Sequence, residues 1–365
     1  MVDIAKLDAI GGEYQCLHEL VAAARARLPD HSWDYLVGGT ETETTVRRNR
    51  AALDSVALRP RVLRDVSRVD AAGQILGTLS RIPVFLAPVG SLDSFDPGGA
   101  ASAARAAALF GVPIMVSSVT KPGLEETAAA GPARRFFQLY RRGDDAFTDD
   151  FVRRAVAAGY EAFCFTVDSA VYSRRERDIT RRFAKPWRRG GAGMQFQAAL
   201  NWNDIKRYKD KYSLPLIVKG IATPEDALLA LEHGVEVIYV SNHGGRQLDH
   251  GLGALEVLPE IVSVVAGRAR IFVDGGFCRG TDIVKALALG AEAVGLGRLY
   301  CYGLAAAGEA GVIRVLELVE IEMTECLALL GVTTPEGLEP AHLRAAGPVT
   351  PPHVHSAFPL LNLPR

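Results

Sequence analysis

The chain has 365 residues, of which 48% are hydrophobic and 23% charged, and a formal net charge of −1. That length suits one large domain, and the apolar share allows a sizeable core, which excludes disorder as the general state of the chain. Near-neutral charge predicts no bulk attraction to nucleic acid or anionic lipid, and no stretch reaches the roughly 18 uninterrupted apolar residues of a membrane span.

The opening MVDIAKLDAIGGEYQ lacks a charged region, an apolar run and a cleavage site in series, so a cytoplasmic protein without a signal peptide is expected. Cys16, Cys164, Cys278, Cys301 and Cys326 are odd in number and lack C-x-x-C spacing. That pattern argues against a disulfide framework and against a metal site.

Helices are expected near 16–27, 32–38 and 43–54, within an N-terminal segment 1–79. From residue 80 onward, short apolar runs alternate with Ala- and Leu-rich stretches of helical period, as parallel strands buried on both faces require. The strands read at 84–89, 114–118, 135–140, 162–167, 215–219, 237–242, 270–274 and 293–297. Helices follow near 98–110, 123–130, 145–158, 199–210, 223–233, 254–266, 280–289 and 302–330. Thr223-Pro224-Glu225-Asp226 is a strong helix start, with a cap, a first-turn Pro and two acids facing the dipole. Eight strand-then-helix units predict an α/β chain folded as a closed (β/α)8 TIM barrel over 80–345, with an N-terminal helical extension. The Pro-rich stretch 348–365 within the tail 346–365 reads as an extended arm.

In such a barrel chemistry sits at the C-terminal strand ends. There the sequence places Ala87-Pro88-Val89, Ser117, Gln138 with Tyr140, Thr166 with Asp168, Lys219, Ser241 with His243 and Arg246, Asp274-Gly275-Gly276, and Gly297-Arg298. Glycines at 275, 276 and 297 beside Arg298 can cradle a phosphate, or can simply turn the chain. Lys219 needs a partner if buried, and serves either as a Schiff-base nucleophile or as a fixed charge against a cofactor. His243 is a structural residue or, with Asp168 to orient it, a base. Arg246, Arg175 and Tyr140 suit a substrate carboxylate, although Arg175 also fits a solvated loop.

At these residues the sequence resembles the FMN-dependent 2-hydroxy acid oxidising family, from about residue 15 to about 345. SNHGGRQLD at 241–249 is its most specific element, and FFQLY (136–140), TVD (166–168), RRERDI (174–179), LPLIVKGI (214–221), DGG (274–276) and GTDIVKALALGA (280–291) match in order. The resemblance implies FMN, a small-molecule substrate, oxygen or another electron acceptor, and a homo-oligomer, a tetramer or octamer. It implies His243 as the base steadied by Asp168, with Tyr140, Arg175 and Arg246 on the carboxylate and the developing oxyanion. It further implies Lys219 near flavin N1, the 87–89 backbone beneath N5, and Ser117, Gln138 and Thr166 at the ring edge. Ser241 and Asp274 also fall among the expected cofactor contacts, and Gly275, Gly276, Gly297 and Arg298 would take the phosphate.

Four departures qualify what is carried over. Trp33-Asp34-Tyr35-Leu36 stands where the family has Y-D-Y-Y, which predicts the loss of one substrate hydroxyl. Val119 replaces a tryptophan of glycolate-oxidising members, and Gly90 a common alanine. Cys278 takes the place of the arginine in D-G-G-x-R, with Arg279 as a candidate substitute. The segment 169–200, a short basic lid, predicts an open mouth and a substrate larger than glycolate or lactate. The alternatives are the same fold and cofactor acting on an amine or ring hydroxyl, an isomerase, a Lys219 lyase, or a weakly catalytic binding protein.

Overall fold

The computed structural model describes residues 10–182 and 193–362. Three helices lead: α1 (Leu17–Arg27), α2 (Asp30–Val37) and α3 (Thr44–Asp54), followed by the short strands β1 (Val56–Leu58), β2 (Gly73–Ile75) and β3 (Thr78–Ser80). Then strand and helix alternate: β4 (Val84–Leu86), α4 (Gly99–Phe110), β5 (Ile114–Ser117), α5 (Leu124–Ala129), β6 (Arg135–Leu139), α6 (Asp145–Ala157) and β7 (Ala162–Thr166). Two short helices, α7 (Glu176–Thr180) and α8 (Met194–Ala198), precede α9 (Trp202–Lys211) and β8 (Leu216–Ile221). The series ends with α10 (Pro224–Glu232), β9 (Val237–Val240), α11 (Ala254–Val265), β10 (Arg270–Val273), α12 (Gly280–Ala288), β11 (Ala293–Leu296), the long α13 (Arg298–Leu330) and β12 (Leu343–Ala345).

Strands β4 to β11 pair in chain order, all parallel, and β11 closes on β4. The eight expected strands therefore form the expected barrel, and they read as continuous apolar runs because both faces are covered. Inside, Phe85, Phe136, Phe272 and Tyr239 pack edge to face with Met115 and Ile217. Gly295 makes room for this layer, since a Cβ there would stand 2.3 Å from the Tyr239 hydroxyl.

The N-terminal segment is not helical throughout. Its antiparallel hairpin β2–β3 drives Ile75 into the same interior cluster, and β1 pairs antiparallel with β12. These three-residue strands are too short to show a period of two, which is why the sequence pattern missed them. The single helix expected over 302–330 is instead two helical stretches that together make up α13: the first begins earlier, at Arg298 directly after Gly297, and the backbone breaks at Ala307 (φ −152°) and Gly308 (φ +62°) before the second runs on to Leu330. Helix α10 starts as expected, with the Thr223 hydroxyl accepting from the Asp226 amide at 3.3 Å.

The tail corrects another expectation. Rather than an extended arm, 351–362 bends back on the barrel and buries Phe358, because its apolar residues meet an apolar face of the molecule. Among the described residues no helix is long and apolar enough to cross a membrane.

Helix α3 is fastened to the barrel by one buried ion pair, Arg50 Nη1 to Asp282 Oδ2 at 2.7 Å, with side-chain exposures of 4% and 2%. Removing one member leaves the other charged in a poorly solvated place. Asp282→Ala is therefore expected to destabilise the fold by about 3–5 kcal/mol. A urea titration that found the variant within about 1 kcal/mol of the parent would contradict this role for the pair.

Candidate active site

Beyond Val240 the chain turns through Ser241 and Asn242 to His243, whose φ of +58° lies in the left-handed region that a side chain with a Cβ rarely adopts. The Ser241 hydroxyl accepts the His243 amide at 3.1 Å, and the turn continues through Gly244 and Gly245, both with positive φ. This geometry aims the imidazole across the mouth. Nδ1 lies 3.0 and 3.2 Å from the two Asp168 oxygens, and Nε2 lies 3.1 Å from the Tyr140 hydroxyl.

A carboxylate only accepts, so Nδ1 carries the hydrogen and Nε2 presents its lone pair. Burial pushes the His243 pKa below its ordinary value, with the Asp168 charge opposing part of that shift. Burial alone would raise Asp168, but the neighbouring His243 and Lys219 outweigh it and hold the carboxyl at about 2. The pair is therefore imidazole and carboxylate at neutral pH, the arrangement of an oriented base.

Lys219 ends the apolar run of β8 and is 3% exposed. Its ammonium donates to the Ser241 hydroxyl at 2.8 Å and lies 3.6 Å from Asp274. Asp274 in turn accepts from Ser241 at 2.5 Å and from the Tyr239 hydroxyl at 2.8 Å. Burial works against the charged lysine, yet Asp274 and Asp168 keep its pKa above the ordinary value. A Schiff-base nucleophile requires the opposite shift, so the surroundings favour a fixed positive charge.

A cleft enclosing about 1370 Å³, its open mouth included, runs from these residues over Ala87, Pro88 and Val89 to Gly275, Gly276, Gly297 and Arg298. Gly275 and Gly276 have φ of +116° and +86°, a turn in which successive amides can face an anion. The N-terminus of α13 opens at the same end. Behind the cleft wall Ser117 donates to Gln138 at 2.6 Å, while Gln138 Nε2 and Thr166 Oγ1 are buried and have no partner among the described residues. Unpaired buried polar atoms are costly, and these two ask for a flat polar edge beside them. An apolar floor, a buried cation and an anion cradle in one cleft, with unpaired polar atoms behind its wall, fit flavin mononucleotide.

Most of the expected site residues thus converge, though not all on the cleft surface: Asp168 and Ser241 stand behind His243 and Lys219 as their partners. Arg175 and Arg246 both line the mouth. Burial, with Arg175 second, lowers the Arg246 pKa to about 10. Arg246 donates to the Gly38 carbonyl at 2.9 Å, and its guanidinium stacks 4.8 Å from the centre of the Tyr35 ring.

Two expectations need correction. Arg279 does not reach the cleft, because it is drawn to Glu322 at 2.5 Å on the outer side of α13. The tyrosine hydroxyl expected to be lost is present: Tyr35 lines the cleft with its hydroxyl 2.9 Å from the Gly90 carbonyl. Trp33 faces elsewhere, stacked on His355 at 5.4 Å. Two residues, a little over half a turn of helix, separate these directions, and a motif read without its helical phase assigns the role to the wrong position. Phe95, Arg142 and Arg50 also line the cleft and carried no signal in the linear pattern. Residues 183–192 of the expected lid lie outside the described residues.

Comparison with known proteins agrees with this geometry. The sequence model of the FMN-dependent dehydrogenase family matches residues 24–345. Glycolate oxidase 1 of Oryza sativa subsp. indica is 39% identical, over 91% of this chain and 96% of its own length. L-lactate oxidase of a Nostoc strain is 38% identical, over 90% and 97%. A mandelate oxidase variant solved with (S)-mandelic acid superposes with a TM-score of 0.85 at 39% identity, covering 92% of this chain and all of the other. The chain belongs to the FMN-dependent dehydrogenase family and is an FMN-dependent oxidoreductase.

Proposed function

We propose that the protein oxidises a 2-hydroxy acid with a bulky side group to the corresponding 2-oxo acid, with His243 as the base. The observation that carries this reading is the His243–Asp168 pair facing a cleft whose lining includes Arg175, Arg246, Tyr35 and Tyr140. Glycolate, lactate and mandelate oxidising relatives support a 2-hydroxy acid as the substrate class.

Arg246 and Arg175 bind the substrate carboxylate, aided by the Tyr35 hydroxyl, and this holds the hydroxyl-bearing carbon against the cleft floor. Nε2 of His243 accepts the proton that the hydroxy acid gives up, and Asp168 stabilises the imidazolium that forms. Tyr140, which donates to the same nitrogen before substrate arrives, turns its single O–H to the oxygen on which negative charge develops once the substrate occupies Nε2. FMN, held over Ala87, Pro88 and Val89 with Lys219 beside it and Gly275, Gly276, Gly297 and Arg298 at its phosphate, would supply the acceptor for the hydride equivalent and the link to oxygen or another electron acceptor. Lys219, charged and fixed by Asp274, places a cation where the reduced ring gains negative charge.

The side-group region is largely apolar. Phe95, Val119, Val171 and Met194 line it with Gly90. Gly90 and Val119 are in contact, so that even a Cβ at 90 would lie 2.9 Å from Val119 Cγ2. Val119 fills the space beside Gly90, so the room for an aromatic or branched side group comes from the short side chain at 119, which favours such substrates over glycolate and lactate.

Anaerobic mixing of the yellow holoenzyme with a panel of 2-hydroxy acids tests the reaction, and an aryl-substituted member should bleach the flavin fastest. Bleaching by amines or phenols and by no hydroxy acid would overturn the proposal. His243→Asn should lower turnover by at least ~100-fold with flavin still bound. In Asp168→Asn the carboxylate that raises the His243 pKa is gone, so the acid limb of the kcat/KM profile should move to lower pH while kcat falls. An unmoved limb would separate the two residues. Val119→Trp should cost the aryl substrate roughly tenfold or more in kcat/KM and spare lactate. Equal losses for both would remove the size argument.

A further inference from the structure

The family match ends at residue 345, yet the chain beyond it is packed against the cofactor cleft. Phe358 is 2% exposed, with its ring edge-on to His18 at 5.7 Å and to Tyr302 at 6.3 Å. His355 stacks on Trp33 of α2, and its Nε2 lies 3.3 Å from the Tyr302 hydroxyl in the opening turns of α13. Arg279 donates to the Ala357 carbonyl at 3.5 Å. Between these anchors Val354 lines the same cleft as Gly276, Cys278, Gly297 and Arg298, and its neighbour His355 lies near enough to Arg298 for that charge to act on it.

That end is short of positive charge. Burial pushes the Cys278 thiol up to about 12, so the residue standing in place of an arginine is neutral. Arg279 is committed to Glu322, and Arg50 is held by Asp282 and Asp54. Arg298 remains, with its hydrogen bonds going to the backbone carbonyls of Leu36, Gly38 and Gly244. One arginine facing a phosphate in open water contributes little, whereas the same pair under an apolar cover contributes much more.

We propose that the C-terminal tail, residues 347–358, is the wall that closes the phosphate end of the cleft, with Val354 against the phosphate, and that it retains the cofactor where Cys278 supplies no cation. The inference rests on FMN occupying this cleft with its phosphate at the glycine turn. The tail excludes water around Arg298, and the Trp33–His355 stack and buried Phe358 hold it in place.

The test follows release of FMN from the full-length holoenzyme, read as recovery of free-flavin fluorescence after dilution, with riboflavin binding measured in parallel. Val354→Asp should speed FMN release and Val354→Lys should slow it, each by about threefold to tenfold, because a charge at this position meets the phosphate directly. Riboflavin, which lacks the phosphate, should bind both variants as it binds the parent. Truncation after Ala346 should release FMN at least about tenfold faster, a loss comparable to removing one charge-assisted contact. Equal FMN release from the parent and both Val354 variants would overturn the role of the tail while leaving the cofactor assignment intact. So would a loss of riboflavin binding as large as that of FMN, which would mark a general loosening of the fold. A full-length protein that takes up no FMN would overturn the tail and the cofactor site together.

Discussion

Charge has to be neutralised where an apolar barrel ends, and the site is organised around that constraint. Lys219, Asp168, Asp274 and His243 are all buried or nearly so at the end of a barrel interior packed with Phe, Val and Ile, where an isolated ion would be strongly destabilised. Two arrangements meet the constraint: Asp168 is hydrogen-bonded by His243 and near the Lys219 charge, and Lys219 is paired with Asp274 through Ser241. Each pair leaves one face of the nitrogen-bearing group directed into the cleft. The same neutralisation that lets the groups be buried therefore fixes the tautomer of the imidazole and the charge of the lysine.

Backbone conformation and electrostatics are coupled at His243. A left-handed φ at a residue with a side chain persists only if its surroundings hold it, and the Ser241 hydroxyl that accepts the His243 amide also binds Lys219 and Asp274. One hydroxyl thus joins the strained turn to the second ion pair. Losing Ser241 would disturb the aim of the base and the charge of the lysine together, although its side chain is not on the cleft surface.

Much of this was legible in the linear chain, for identifiable reasons. Strands buried on both faces are uniformly apolar, so all eight announced themselves, and the polar residues terminating them marked the catalytic face. SNHGGRQLD carried the base, its turn and Arg246 in nine consecutive letters. What escaped depends on contacts between distant segments. The hairpin that inserts Ile75 is only three residues a side, and Phe358 looks like any apolar residue in a Pro-rich tail until the face that receives it is known. Arg279 was expected at the phosphate because it is adjacent to Cys278 in sequence. Glu322, far along the chain, draws it away, and no local pattern contains that partner. Tyr35 was overlooked for a different reason: Trp33 and Tyr35 lie on different faces of α2, and only helical phase distinguishes the one facing the cleft.

The placement of Tyr35 also shows that the barrel by itself does not make the site. Leu36 and Gly38, at the end of α2, direct their carbonyls at Arg246 and Arg298, one from the β9 turn and one from the start of α13. Both arginines are buried, so each needs its fixed acceptors to be tolerated there. The N-terminal extension supplies those acceptors, and in doing so sets the direction of two neighbouring guanidinium groups that share the Leu36 and Gly38 carbonyls. A single turn of backbone between Tyr35 and Gly38 thereby ties the arginine expected at the substrate to the arginine expected at the phosphate. A shift of α2 would move both arginines at once, so cofactor binding and substrate binding are expected to respond together to any change in how that helix is seated.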